Sequence, residues 1–190
     1  ILAIELATSV YYIFNNKKFS YRAAFNQDER QKKSAGSLLA GPAIFAIYFQ
    51  GDSSLIPHDV NPPDFFDGIQ VKRSRYAKAT LNVGYAYNLI IWERFFITAS
   101  LILGPGAGYM TLYAESDDIE GRTKADFAFS YTARAAAGYN GKRLYVGVSF
   151  VNTSLNSPTP VDKTRYVFNA GNIRFNIAYR IPFNVEVPLL

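Results

Sequence analysis

The residues of this chain that are best suited to bind or react are charged side chains set between apolar neighbours. Seven charges occupy positions where residue alternation predicts a side chain that points inward: Glu5, Arg22, Lys78, Asp126, Arg134, Arg174 and Arg180. An ionised group enclosed by protein needs an opposite charge, a hydrogen bond or water. The set therefore predicts either a structural network of salt bridges or an electropositive lining that favours anionic solutes.

His58 is the only histidine, and Ser53, Ser54 and Asp59 lie close to it in the sequence. A Ser/His/Asp set could serve nucleophilic catalysis, but such a triad is defined by geometry. The surrounding segment is rich in proline and lacks a nucleophile-elbow motif. We therefore interpret His58 as an exposed loop residue and expect no catalytic site.

Acidic residues and glycines form two further groups. Residues 115–120 hold four carboxylates without the ligand spacing of a calcium-binding loop, which predicts a solvated loop. The GPGAG segment at 104–108 lacks the Lys-Ser/Thr of a phosphate loop, and its glycines should let another strand or side chain approach closely.

The chain has no cysteine, so thiolate catalysis and cysteine-ligated metals are excluded. No cofactor or metal site is predicted.

The elements that must position the charges are long alternating segments. In residues 125–139, apolar and aromatic residues alternate with small, polar or charged ones. A period of two is the side-chain period of a β-strand, and the length suits the roughly 9–11 residues of a membrane-spanning strand. The same alternation is found in residues 1–12, 19–26, 35–50, 76–91, 95–113, 144–150 and 167–181. Pro42 predicts a bulge or kink in the third of these strands.

The connections alternate in length. Residues 92–94 and 140–142 are tight turns, whereas residues 51–75, 115–124 and 153–164 are long and polar or proline-rich. Short turns on one side and long loops on the other are typical of outer-membrane barrels. We predict an all-β fold, an antiparallel transmembrane β-barrel of about eight strands in one domain over residues 1–190, which could form part of a larger barrel. A soluble sandwich is disfavoured because the polar face is dominated by small residues that suit a narrow barrel interior.

The loop over residues 51–75 is the most distinctive segment outside the predicted strands. It combines Phe65 and Phe66 with several prolines and a basic end that includes Lys72 and Arg73. Such a loop is expected to fold over the mouth of the barrel or to dock a partner protein.

Composition excludes several other classes. The net charge of +5 is spread along the chain without a dense basic helix, which argues against nucleic-acid binding and suits anionic lipid headgroups. No segment approaches the roughly 18 apolar residues of a transmembrane helix. Aromatic residues make up 16% of the chain, as expected for aromatic girdles at the two membrane interfaces.

Three segments carry a resemblance to a known family: YYIFNNKKFSYRAAFNQDERQKKSAGSLLAG at 11–41, VGYAYN at 83–88 and LYVGVS at 144–149. The chain resembles an uncharacterised Bacteroidota family, a domain of unknown function regarded as an outer-membrane β-barrel. The resemblance implies a bacterial outer-membrane location and brings no catalytic residues. Family members carry further strands upstream of the YYIFNN segment, so the resemblance also implies that an upstream segment is missing here.

The expected function follows from location. We expect an integral outer-membrane β-barrel that is not an enzyme, needs no cofactor and serves as a structural or accessory component of an outer-membrane assembly. The alternative is a narrow channel for small anionic solutes, and a lipid-modifying enzyme that uses His58 is a third possibility. The expected partners are outer-membrane lipid, lipopolysaccharide and other outer-membrane proteins, with no nucleic acid.

Overall fold

A computed structural model describes residues 1–26, 29–52, 70–114, 121–161 and 164–181. The elements are β1 (Leu2–Ser9), β2 (Tyr12–Ile13), α1 (Tyr21–Phe25), β3 (Ala35–Gln50), β4 (Val71–Ile91), β5 (Phe95–Ala114), β6 (Arg122–Asn140), β7 (Leu144–Pro158) and β8 (Arg165–Tyr179). In this part of the chain no helix is long and apolar enough to cross a membrane.

The strands form one antiparallel sheet in the order β1-β3-β4-β5-β6-β7-β8, with β2 also paired to β3. The predicted all-β, antiparallel fold is confirmed. The sheet is open, with β1 and β8 at its edges, so the described residues form a half-barrel. β1 and β2 are two pieces of one edge strand, separated where the amide of Val10 donates to the carbonyl oxygen of Pro42 at 3.1 Å.

The alternation in sequence becomes two faces of the sheet. Along β5, Thr98, Ser100 and Ile102 are buried on the concave face, whereas Ile97 and Leu101 are exposed on the convex face. Cross-strand register keeps the faces continuous, since residues that are register partners point to the same side of a sheet. Three buried apolar clusters line the concave face, and one of them includes Phe45, Tyr76 and Met110.

Tyr21–Phe25, in the middle of the predicted short strand over residues 19–26, form the helix α1, so that prediction is wrong. Ser20 caps α1, because its hydroxyl oxygen accepts a hydrogen bond from the Ala23 amide at 3.0 Å. Phe19, Ala23 and Ala24 are buried against the concave face of the sheet. The helix therefore lies inside the half-barrel, where its contacts with the sheet outweigh the strand-like spacing of its aromatic residues.

The strands are longer than predicted at the ends that face the long loops. β4 begins at Val71, so Lys72 and Arg73 belong to a strand and not to the predicted loop. The carbonyl oxygen of Lys72 accepts from the Gly51 amide at 2.8 Å, which joins the ends of β3 and β4. β7 continues to Pro158 through a segment that was also predicted to be a loop.

Two glycines of β5 sit where the concave side is crowded. A Cβ atom at Gly106 would overlap the carbonyl oxygen of Ala79 on the neighbouring strand, and one at Gly108 would lie 2.8 Å from the Ser157 hydroxyl. The expectation that the GPGAG segment permits close approach is confirmed.

Candidate functional site: the concave face

The concave face encloses a cavity of about 430 Å³. Its lining combines apolar side chains with polar ones, and the polar ones include Lys78, Thr80, Asn82, Ser130 and Arg134. Residues of both edge strands also border it, including Glu5 of β1 and Asn172 of β8. The cavity thus lies across the interior of the half-barrel.

The helix α1 fills the concave face beside the short turns. Phe19 packs with Leu39 and Ile102, and Ala24 packs with Phe96 and Tyr145. These contacts place the helix against β5 and β7, and Phe19, just before the helix, against β3 and β5. The turn end of the half-barrel is therefore occupied by protein.

Polar side chains of the sheet bind the helix backbone. Asn88 Nδ2 donates to the Ser20 carbonyl oxygen at 2.9 Å, and the Tyr145 hydroxyl donates to the Ala24 carbonyl oxygen at 3.2 Å. Both side chains are almost fully buried. The Tyr145 contact satisfies a carbonyl group of the last helical turn, which has no partner within the helix, and the Asn88 contact fixes the start of the helix.

Asn140 at the end of β6 is the centre of a second set of contacts. Its Nδ2 donates to the carbonyl oxygens of Ala23 at 3.3 Å and Glu29 at 3.1 Å. Its Oδ1 accepts from Arg180 Nη2 at 2.9 Å, and its carbonyl oxygen accepts from Arg30 Nε at 3.2 Å. One buried amide thus joins the helix, the segment after it and the last strand.

Arg134 reaches from β6 toward the helix. Its guanidinium carbon lies 5.6 Å from the ring centre of Tyr21 and 6.0 Å from that of Phe25. These distances permit a cation–π attraction. The buried Nε of Arg134 has no hydrogen-bond partner within the described part of the chain.

Lys78 is the most enclosed charge of the predicted set. Only 4% of its surface is exposed, and its Nζ has no hydrogen-bond partner among the described residues. Its register partners are Phe45 on β3 and Gly108 on β5. On the concave face, the Lys78 side chain therefore has Phe45 on one neighbouring strand and a position without a side chain on the other.

The remaining predicted charges are more exposed and more dispersed. Arg22 forms an ion pair with Glu29 at 3.5 Å, and Arg180 donates to the Gly141 carbonyl oxygen at 2.8 Å. Glu5, Asp126 and Arg174 are exposed. The carboxylate of Asp126 accepts from the adjacent Phe127 amide at 2.7 Å. Neither Glu5 nor Asp126 forms an ion pair with another residue that the structure describes.

Part of the predicted loop site lies outside the described residues, namely Phe65 and Phe66, and His58 does as well. The basic end of that segment is described. The Arg73 guanidinium carbon lies 4.0 Å from the ring centre of Tyr113, on the adjacent strand. Arg73 thus packs within the sheet beside Tyr113.

Several residues that hold the concave face together were missed in the sequence. Asn88 and Tyr145 alternate with outward apolar residues, so their inward direction was predictable. Asn140 resembled only the first residue of an Asn-Gly turn. Its role depends on a helix that alternation does not reveal. Within the described ranges, no group of three or more His, Cys, Asp or Glu side chains could hold a metal ion.

Comparison with protein-family models assigns the chain to a family. A family model described as a domain of unknown function, DUF4421, matches residues 3–181. No curated protein and no solved structure matches the chain.

Proposed function

Because the chain belongs to the DUF4421 family, a domain of unknown function, we propose its role from its own geometry. It is an integral outer-membrane β-barrel protein whose interior is filled at the turn end by α1. It acts as a structural or accessory component of an outer-membrane assembly and binds other outer-membrane proteins. Its convex face contacts lipid, and its loop ends meet lipopolysaccharide.

The apolar convex face is the single observation that carries the proposal. Along β5, every outward residue from Phe95 to Ala107 is apolar, and the neighbouring strands continue the band with exposed residues such as Leu81 and Phe129. A soluble monomer rarely exposes an apolar patch of more than a few hundred Å². Lipid is the solvent that such a face requires, since the backbone groups within the sheet are already paired.

Aromatic residues at the short-turn end add a second support. Trp92 is 82% exposed and meets Phe95 edge-on, with ring centres 6.1 Å apart. Phe95 in turn contacts Tyr139 on the next strand at 5.3 Å. Aromatic clusters at the end of an apolar band are typical of the interfacial girdle of a transmembrane barrel.

The open edges support the binding of a partner. β1 and β8 each present an edge that pairs with no other described strand. Unpaired backbone groups are costly in the hydrocarbon region, and membrane sheets remove them by closing. Further strands must therefore lie beside these edges if the half-barrel spans a bilayer.

A narrow anion channel is the second candidate, favoured by the cationic residues of the cavity. Lys78 and Arg134 both line it. The helix α1 argues against steady conduction, because it occupies the turn end of the half-barrel through buried contacts. We therefore place the filled, structural barrel first.

The membrane location is tested by two arginine substitutions on one strand. Leu101 and Tyr109 both face outward from β5 and are 51% and 50% exposed. Arginine near the middle of a lipid-facing band costs about 2–4 kcal/mol, against about 0–1 kcal/mol near an interface. Leu101→Arg should thus reduce the free energy of unfolding in lipid vesicles much more than Tyr109→Arg. Equal small losses would contradict the lipid-facing assignment, because equally exposed residues in water should respond alike.

Planar-bilayer recording separates the two candidates. The purified protein should give no steady single-channel current if the interior is filled. A steady anion-selective current that falls in Lys78→Met would establish the channel instead.

A further inference from the structure

Lys78 is a buried cation on the concave face that needs a hydrogen-bond acceptor or an anion beside it. Its Nζ is buried, and no described residue supplies it with a hydrogen bond or an ion pair. An enclosed charge without a partner costs several kcal/mol. An acceptor-rich group beside the ammonium would remove that cost.

The cavity offers space for such a group when the flexible Lys78 side chain turns its ammonium toward it. The side chain lines the cavity of about 430 Å³, which lies within the usual range for small-ligand sites. Gly108, its register partner on β5, contributes no side chain to fill the space. Thr80 and Asn82 follow Lys78 on the same face of β4 and line the same cavity.

The polar lining near Lys78 is ordered by hydrogen bonds. The Thr80 hydroxyl donates to Asn82 Oδ1 at 2.8 Å, and Asn82 Nδ2 donates to the Tyr11 hydroxyl at 2.9 Å. The Ser130 hydroxyl lies nearby, since Gly104 separates Asn82 from Ser130 across the sheet. Hydroxyl and amide groups thus line the same cavity as Lys78, where they can donate to an anion after a small rotation.

The charges around the cavity favour an anion. Among the described residues that line it, Lys78 and Arg134 stand against one carboxylate, that of Glu5. Asp126 is aligned with Lys78 across Gly108, but it is exposed and its Oδ1 accepts from the Phe127 amide. The local balance is therefore one positive charge in excess.

We propose that the cavity binds a small oxyanion, a carboxylate or phosphate group, whose oxygen accepts a hydrogen bond from Lys78 Nζ. Arg134 adds favourable charge, and Glu5 opposes binding. The site adds a ligand to the barrel proposed above and requires no conduction through it.

Calorimetric titration of the protein in a non-ionic detergent tests the site. Sodium phosphate and sodium acetate are titrated separately at constant ionic strength, which distinguishes the two oxyanions. The wild-type protein should bind one of them saturably. Lys78→Met should weaken that binding by about tenfold or more, equivalent to about 1.4 kcal/mol, because a charge-assisted hydrogen bond is lost.

Two variants control the measurement. Glu5→Gln should tighten binding, since it removes the opposing charge from the cavity. Arg174→Met should leave binding unchanged, because Arg174 is an exposed cation outside the cavity lining. Absence of saturable binding by the wild-type protein, or equal affinity in Lys78→Met, would overturn the site. If Lys78→Met does not fold, an unchanged affinity in Glu5→Gln would overturn it. None of these results bears on the lipid-facing band, which the Leu101 and Tyr109 variants test separately.

Discussion

At the scale of single residues, Gly106 and Gly108 differ in what surrounds them. A Cβ at Gly106 meets the backbone carbonyl oxygen of Ala79, whereas the atoms nearest to a Cβ at Gly108 all belong to side chains. A backbone atom of a paired strand cannot rotate away, but a serine hydroxyl can. Gly106→Ala should therefore lower the free energy of unfolding by about 1–3 kcal/mol.

Gly108→Ala is the matched control on the same strand. Its effect should be smaller, within about 1 kcal/mol, because the Ser157 hydroxyl can turn aside, the Ala128 Cβ at 3.1 Å needs only a small shift, and alanine restricts the unfolded chain. Urea unfolding in lipid vesicles measures both values. Equal losses of unfolding free energy in the two variants would show that the contact with the Ala79 carbonyl oxygen is not what destabilises Gly106→Ala.

At the scale of elements, the docking of α1 depends on Asn140. Its buried amide donates to the carbonyl oxygens of Ala23 and Glu29, and it also accepts from Arg180. Asn140→Ala should cost about 1–3 kcal/mol, because buried partners lose their hydrogen bonds. The helix should also leave the sheet more often, which exposes residues such as Ala24.

Thiol labelling measures that release directly, because the chain has no cysteine of its own. A single cysteine at Ala24, which is buried in the folded protein, should react faster with a thiol reagent when Asn140→Ala is present. Asn169→Ala is the control, since Asn169 accepts only an exposed hydrogen bond from Asn152. Similar labelling rates in both backgrounds would argue against Asn140 as the anchor of the helix.

The strands were largely predictable because the alternation of apolar and polar residues reflects the different environments of the two faces of a sheet. β3 begins and ends where the pattern indicated, at Ala35 and Gln50. The start of β4 was missed because Lys72, Arg73 and Ser74 do not alternate with apolar residues. Beyond the apolar band, both faces of a strand can be polar, and the periodic signal disappears.

The helix and the site were less predictable for a different reason. Tyr21 and Phe25 are four residues apart, which fits one face of a strand and one face of a helix equally well. Alternation indicated that Arg134 faces inward. Its neighbours, the rings of Tyr21 and Phe25, become visible only once the helix is placed. The direction of a side chain can be predicted from the local sequence, whereas its contact partners depend on the whole fold.

At the scale of the whole molecule, the number of strands determines how the barrel can close. Six antiparallel steps separate β1 from β8, so the two edge strands run in the same direction. Direct pairing of β8 with β1 would therefore be parallel, which would leave one parallel seam in an otherwise antiparallel barrel. Two copies joined side by side would contain two such parallel pairings. An entirely antiparallel barrel therefore requires an odd number of further strands between β8 and β1.

Cysteine crosslinking in membranes tests this requirement. Even one intervening strand would place the edges about 9–10 Å apart, beyond the roughly 7 Å Cα separation that a disulfide allows. Cysteine at Ala7 of β1, paired in turn with cysteine at Phe168, Ala170 or Asn172 of β8, should therefore form no disulfide. Phe150 and Ile173, which are register partners on β7 and β8, should crosslink readily and serve as the positive control. An efficient crosslink between β1 and β8 would instead show a barrel closed by a parallel seam, with no place at these edges for additional strands.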